Sequence, residues 1–275
     1  MTKGPLYSSE ASDFCKSREL EKMWVEDDQE KLTLILRHLG DIDSFLDVGC
    51  GWGQILGPVS KIVPRTVGVD ESPHRIKEIK DNCPGAEIHI CKACDLDFPD
   101  NDFDVVLTSQ MLHETKLFGK KGELKSTLKE IKRVLNSDGR YLLLDHLDPG
   151  DGKVSLSLDK RSMSLLEEFS YKFKYRKIEY IVLNGNNIEI SRRDAQDFVT
   201  KIWSLNSPME EIEMNETHTP FSRREVEELF SDLGLTQKEW VEFENIGVDF
   251  SHYGIKPLNF IPWFRKFLFV GKKTK

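Results

Sequence analysis

Phe45-Leu46-Asp47-Val48-Gly49-Cys50-Gly51-Trp52-Gly53 decides how the rest of the chain is read. Ser44–Val48 is a short apolar run, bounded as a buried strand is, and it breaks into glycines at alternate positions. Those glycines allow a tight strand-to-helix turn whose backbone lies close to a ligand. The helix that follows, over 53–63 and ended near Pro64, points free N–H groups at the same place. A second strand, Thr66–Val69, ends on Asp70, where a carboxylate can accept from both hydroxyls of a ribose.

Outward from that turn, strands and helices alternate. Leu20, Met23, Trp24, Leu32, Ile35, Leu36 and Leu39 recur at helical spacing over 17–39, and Gly40 stops the helix. Ser72-Pro73 opens a helix that runs to about Asn82. Ala86–Cys91 reads as a third strand, Phe103–Ser109 as a fourth, and 122–135 as a helix. Asn136-Ser137-Asp138-Gly139 is a turn before a fifth strand, Arg140–Asp145. Such alternation implies crossover units, a mostly parallel sheet covered on both faces, and a ligand at the carboxyl ends of the strands. After Asp148-Pro149-Gly150 the alternation stops. Residues 155–180 read as helical, Ile178–Leu183 and Ile188–Ile190 as flanks of an Asn184-Gly185 turn, and 192–204 as a short helix. Phe221-Ser222 opens a helix to Leu233, capped by Gly234, and strands follow at Lys238–Phe243 and Phe267–Val270, with an aromatic loop, Asp249–Pro262, between them.

The glycine spacing is G-x-G-x-G, preceded by Asp47, whereas a dinucleotide fingerprint is G-x-G-x-x-G. A carboxylate beside the loop repels a pyrophosphate and suits a cofactor bearing an amino group and a sulfonium, which disfavours NAD. With Asp47–Gly53 and Gly68-Val69-Asp70 stand two more segments, Asp95–Val106 and Glu130–Arg140. The four in order resemble the class I S-adenosylmethionine-dependent methyltransferases over roughly residues 40–147, with a generic match again at 221–243. The resemblance implies an α/β fold: a doubly wound, mostly parallel, seven-stranded Rossmann-like sheet with helices on both faces and an inserted α-rich cap. It implies one domain over 1–275, made of an N-terminal helix (17–40), a cofactor-binding core (41–148), a cap or substrate insertion (150–220) and a C-terminal helix and strands (221–275).

By the same resemblance S-adenosyl-L-methionine is the cofactor. Asp47, Gly49, Cys50, Gly51, Trp52 and Gly53 flank its methionine part, and Asp70 with Glu71 lies at the ribose. An acid after strand three usually meets the adenine amino group. Here Lys92-Ala93 occupies the aligned place, so Asp95, with Cys94 and Leu96, is the candidate. Ser109-Gln110-Met111-Leu112-His113-Glu114 passes beneath the transferred methyl group in similar enzymes. Ser109, Gln110 and His113 are therefore cofactor-side candidates, and His113, Glu114 and His146 catalytic ones, with His113 a candidate base. Glu216 and His218, in a polar stretch before a helix, could reach over the strand ends or serve only the local backbone. Methyl transfer from a sulfonium is an in-line displacement, so alignment in a dry site supplies much of the rate and no triad is required.

Composition narrows the acceptor. A net charge of −8 weighs against a protein that grips phosphates, and a small-molecule substrate is expected rather than nucleic acid. RNA or protein methylation, and a non-catalytic cofactor-binding protein, are the alternatives. Basic clusters at Lys172, Lys174, Arg176 and Lys177 and at Arg265, Lys266, Lys272 and Lys273 are either solvated faces or a local anion site. Tyr171, Phe173 and Tyr175 alternate with the first cluster, as a packed lid or a base-stacking surface. Five cysteines without a signal-peptide-like N-terminus suggest reduced thiols and a cytoplasmic setting. Cys91 and Cys94, with Cys83 and His89 near, lack a second C-x-x-C, so no metal site is expected. No apolar stretch is long enough to span a bilayer.

Overall fold

The structure, a computed structural model, describes residues 10–11, 13–14, 22–244, 250–259 and 265–273. In chain order the first half forms α1 (Lys22–Leu39), β1 (Ser44–Val48), α2 (Leu56–Val59), β2 (Arg65–Asp70), α3 (Pro73–Asn82), β3 (Glu87–Ile90), β4 (Phe103–Ser109), α4 (Leu112–Phe118), α5 (Glu123–Val134) and β5 (Leu135–His146). There follow β6 (Lys153–Leu158), α6 (Lys160–Lys172), β7 (Tyr180–Val182), β8 (Asn187–Ser191), α7 (Arg192–Lys201), α8 (Glu210–Asn215), α9 (Arg223–Asp232), β9 (Leu235–Glu244), β10 (Ile255–Pro257) and β11 (Arg265–Lys273).

Among the described residues, the main sheet has seven strands in the order β3-β2-β1-β4-β5-β11-β9. The first five are parallel, and β11 runs antiparallel to both β5 and β9. The mixed α/β, Rossmann-like fold is as the sequence implied. All five residues of β1 are buried, because apolar layers pack on both faces of the sheet. The chain leaves β1 toward β2 on one side and reaches β4 on the other, so the crevice at the carboxyl ends of β1 and β4 is the topological switch point.

Several details depart from the sequence reading. The helix after the glycine turn is only Leu56–Val59, since Gly57 and Pro58 are poor helix interiors and Pro58 donates no N–H. Asn136–Gly139 is a bulge inside β5 rather than a separate turn: Phe103 pairs with Leu135, while Val105 pairs with Arg140. Residues 17–21 of the expected first helix, and Asp249 and 260–262 of the aromatic loop, lie outside the described residues.

The cap is not α-rich alone. It contains a four-stranded antiparallel sheet, β10-β6-β8-β7, with its own apolar core around Leu156, Phe169, Phe198 and Ile188. The expected helix over 155–180 is a strand followed by a helix. Val154, Leu156 and Leu158 alternate inward with period two, and Asp159 then caps α6 by accepting from Ser162 N. The two ends of the 148–221 insertion meet: Leu147 bridges Phe221, and Asp148 N donates to Phe221 O at 2.8 Å. No helix among the described residues is long and apolar enough to cross a membrane.

Candidate active site

The glycine turn forms as its residues demand. Gly49, Gly51 and Gly53 have φ of +78°, +56° and +85°, a region that side chains disfavour. A Cβ on Gly49 would lie 2.7 Å from Met111 Cγ, and one on Gly53 2.5 Å from Cys83 Sγ. Above Gly51 only Gln54 Oε1 comes within 4 Å, at 3.8 Å, so the turn is open there. Gly49 N and Cys50 N donate to Val69 O, which pins the turn to the end of β2.

Two carboxylates flank this opening. Asp70 is nearly buried; its Oδ2 accepts from Gly51 N at 3.1 Å and its Oδ1 from Ser72 N at 2.9 Å. Arg75 Nη1 lies 3.6 Å from Asp70 Oδ2, and the same guanidinium covers the Trp52 ring at 4.7 Å. Asp47 is buried near the end of β1, and its Oδ1 has no hydrogen-bond partner. Burial and the neighbouring Asp70 push its carboxyl up to about 7. An orphaned buried carboxylate beside an open glycine and a ribose-type acid fits a ligand with a cationic group and a ribose.

Other candidates are placed less directly. The Cys50 thiol is buried, packed where a Cβ on Gly68 would meet it at 2.9 Å, and burial, then Asp47 and Asp70, push it well up. Only its backbone faces the turn. Glu71 is exposed. Asp95, also exposed, closes a tight turn by donating its N–H to Lys92 O, with Cys94 half-buried inside it. Leu96 turns its side chain into the core and gives its amide to Glu130 Oε2 at 3.0 Å, so neither group is left for a ligand.

The rim beyond β4 is built around a buried acid, Asp145, which the sequence showed only as the end of the fifth strand. Half-buried Ser109 ends β4, and Gln110 follows with φ 51° and its N–H on Leu144 O. Lys31 Nζ donates to Gln110 Oε1 at 2.9 Å, which turns the Gln110 amide toward His146 Nε2 at 3.1 Å. Asp145, fully buried on β5, accepts from His113 Nδ1 (2.7 Å), His113 N (3.2 Å) and His146 N (2.8 Å). Burial opposes charge on His113, but Asp145, then Glu216 and half-buried Glu114, outweigh it and raise the ring to about 9. His146 is pushed the other way, by burial and by the like charge that His218 or His113 places beside it when protonated.

The cap completes this rim. The His218 ring stacks on His146, with centroids 4.2 Å apart and planes 7° apart. His218 Nδ1 donates to Thr200 Oγ1 (2.8 Å), which donates in turn to Gln196 O (2.7 Å). His218 Nε2 therefore faces Glu216 Oε1 at 3.4 Å and Glu213 Oε2 at 3.6 Å. Lys201, buried in α7, donates to Glu213 Oε2 at 2.7 Å and Glu216 Oε1 at 3.2 Å. Burial pushes Glu213 up, whereas Lys201 and His218 overcome burial and hold Glu216 down. Burial and Lys201 lower His218 to about 3. The expectation of no metal site meets a different picture. Two sets of ligating side chains converge among the described residues, His113 with His146 and His218, and His218 with Glu213 and Glu216, neither containing a cysteine.

The basic stretch in the cap is committed elsewhere. Arg176 pairs with Asp194 and Asp197, Lys172 with Glu168 and Glu210, and Lys177 with Glu179. Phe173 is buried, while Tyr171 is 90% exposed, so these aromatics do not line one surface. Lys273 donates to Lys132 O and Leu135 O at the end of α5, and Lys272 pairs with Asp138.

Residues 46–143 match the family model described as a methyltransferase domain. That segment is about a third of the chain, and over it the chain is similar to methyltransferase domains, as the sequence resemblance implied. The uncharacterized methyltransferase YcgJ of Bacillus subtilis is 26% identical over 146 residues, covering 50% of this chain and 55% of that protein. The chain spans about half the length of the curated relatives it matches first. Solved structures share the fold at low identity. A chain from the complex of the Haloferax volcanii Trm112 methyltransferase activator superposes with TM-score 0.57 at 15% identity, covering 96% of this chain and 95% of that one. The Burkholderia thailandensis 1,6-didemethyltoxoflavin-N1-methyltransferase, which holds 1,6-didemethyltoxoflavin and S-adenosylhomocysteine, gives 0.52 at 15% identity, covering all of this chain and 94% of that one.

Proposed function

We propose that the chain transfers a methyl group from S-adenosylmethionine to an oxygen, nitrogen or other nucleophilic atom of a small molecule. The observation that carries the site assignment is Asp47, whose Oδ1 is buried and unpartnered at the mouth of an open glycine turn. Bound cofactor supplies an electrophilic methyl on a sulfonium. Asp47 offers an oxygen without a partner to the cationic methionine end, Asp70 a carboxylate to the ribose, and Gly51 an opening where backbone can be approached. Cys94 and Asp95 border the adenine side.

On the acceptor side, Gln110, His113 and His146 hold the rim of β4 and β5. His113 is kept charged by Asp145 at neutral pH, so it serves as a proton donor or an orienting cation rather than a resting base. His146, neutral, accepts from the Gln110 amide at Nε2, so it carries its proton on Nδ1 and can donate a hydrogen bond to the acceptor. The cap covers this rim with the His218 ring stacked on His146, which suits a small acceptor that enters and is enclosed, and excludes water from the displacement. The acidic charge, the ion-paired basic stretch and the small-molecule acceptor of the Burkholderia neighbour favour this over RNA. Free thiols fit a cytoplasmic setting.

Incubation with methyl-labelled cofactor and a cell extract tests the reading. Label in the small-molecule fraction, abolished by Asp70→Ala, is the expected result; label confined to RNA or protein overturns it.

A further inference from the structure

We propose that His113, His146 and His218, completed by Glu216, form a binding site for a divalent transition metal of the zinc type. One ring nitrogen from each of the three histidines lies within 4.8 Å of the others. All three rings and Glu216 are buried, Glu216 with only 2% of its surface exposed. Closing a tetrahedral shell at zinc–nitrogen distances brings ligand atoms to about 3.4 Å of each other, so side-chain movements of about 1 Å complete it.

The surroundings are those of ligating imidazoles. His113 has Nδ1 committed to Asp145 at 2.7 Å, the carboxylate–histidine arrangement that fixes a ring with its other nitrogen free. His218 has Nδ1 committed to Thr200, again leaving Nε2 for a ligand. His146 accepts from the Gln110 amide at Nε2, so either that amide yields or the ring offers Nδ1. An independent observation points the same way: Glu216 Oε2 is buried with no hydrogen-bond partner, although Lys201 takes Oε1. A buried carboxylate oxygen left unpaired costs free energy, and a cation beside His218 Nε2 removes that cost. Three imidazoles and one carboxylate are a borderline donor set that suits Zn²⁺ or Fe²⁺ and not Mg²⁺ or Ca²⁺. His113 and His146 come from the core rim, and His218 and Glu216 from the segment that closes the cap, so the ion would clamp the two together.

The site shares His113 and His146 with the acceptor rim proposed above, and a bound ion would take the place of the His113 proton; its test needs neither cofactor nor activity, so its failure is distinguishable from failure of the methyl-transfer reading. The full chain is stripped with a chelator, titrated with Zn²⁺ by calorimetry, desalted and analysed for metal. One equivalent retained, with a nitrogen-rich shell by X-ray absorption, is expected. His218→Ala and His146→Ala should each weaken binding at least 100-fold. Circular dichroism checks that each variant folds. Thr200→Val, which keeps the ligands and removes a supporting hydrogen bond, should weaken binding about 10-fold or more. Failure to retain zinc, retention unchanged in the two histidine variants, or a sulfur-rich shell overturns the proposal.

Discussion

Replacing Asp47 by Asn should stabilise the cofactor-free protein at pH 8 and cripple the site. The Asp47 carboxyl is raised from 3.8 to about 7 by burial and by Asp70. The folded chain therefore holds a proton that the unfolded chain has lost, and stability falls as pH rises from about 4 to 7. Above pH 7 the full cost, about 4 kcal/mol, is present. Asn removes it but leaves a buried amide to satisfy, which returns about 1–3 kcal/mol. The net gain is about 2 kcal/mol at pH 8, or roughly 4 °C in Tm for a chain of this size. At pH 4.5 the carboxyl carries little penalty, so the gain should vanish or change sign. Thermal melts followed by circular dichroism at both pH values read this directly. In calorimetry the same variant should bind S-adenosylmethionine about 10- to 100-fold more weakly, the loss of a charged hydrogen bond. A variant less stable at pH 8, or a gain equal at both pH values, refutes the reasoning.

Gly49→Ala places a Cβ 2.7 Å from Met111 Cγ at a φ of +78°, and should cost about 1–3 kcal/mol in urea unfolding and sharply weaken cofactor binding in titration calorimetry. Asp104 accepts from Asp43 N, Ser44 N, Ser44 Oγ and Asn136 Nδ2, and these bonds outweigh burial to hold its pKa low. Its contribution is present above about pH 4 and is lost as pH falls through the lowered folded value, so Asp104→Ala should cost about 1–3 kcal/mol at pH 7 and little in acid melts. Phe198→Ala removes a fully buried ring from the cap core and should cost about 3–5 kcal/mol, read by denaturant titration. In chelator-treated protein, Asp145→Asn should drop the His113 ring well below 9, followed by NMR of the imidazole protons; an unmoved titration would show that Asp145 is not what holds the charge.

The strand, glycine turn and acid proposed to hold the cofactor were legible as local structure, because each is fixed by its near neighbours. Strand, glycines and ribose-type acid all lie between Ser44 and Asp70, and each residue type is demanded by its own backbone or neighbour. Phe221-Ser222 likewise announced α9, which the structure opens with a capping box between Ser222 and Glu225. The rim beyond β4 was legible only in part. The polar stretch before α9 left open whether His218 reaches over the strand ends, and its meeting with His146 and His113 depends on the cap folding back, which no local pattern specifies. Lys201 reads as an ordinary helix lysine, and its burial depends on Glu213 and Glu216 arriving from the next helix and its exit. The period-two pattern of β6 spans six residues and abuts a helix, too short to separate from its neighbour by periodicity.

The meeting of Leu147 with Phe221 has a consequence for how such proteins diversify. An insertion whose entry and exit already touch can be exchanged for another without the sheet registering the change, since the join is the same whatever lies beyond it. Acceptor choice would then be inherited separately from cofactor choice. One strand breaks that independence: β10, from the far end of the chain, pairs with β6 through Ile255–Leu158 and its neighbours. A transplanted cap must bring residues 255–257 along or arrive with an unpaired edge.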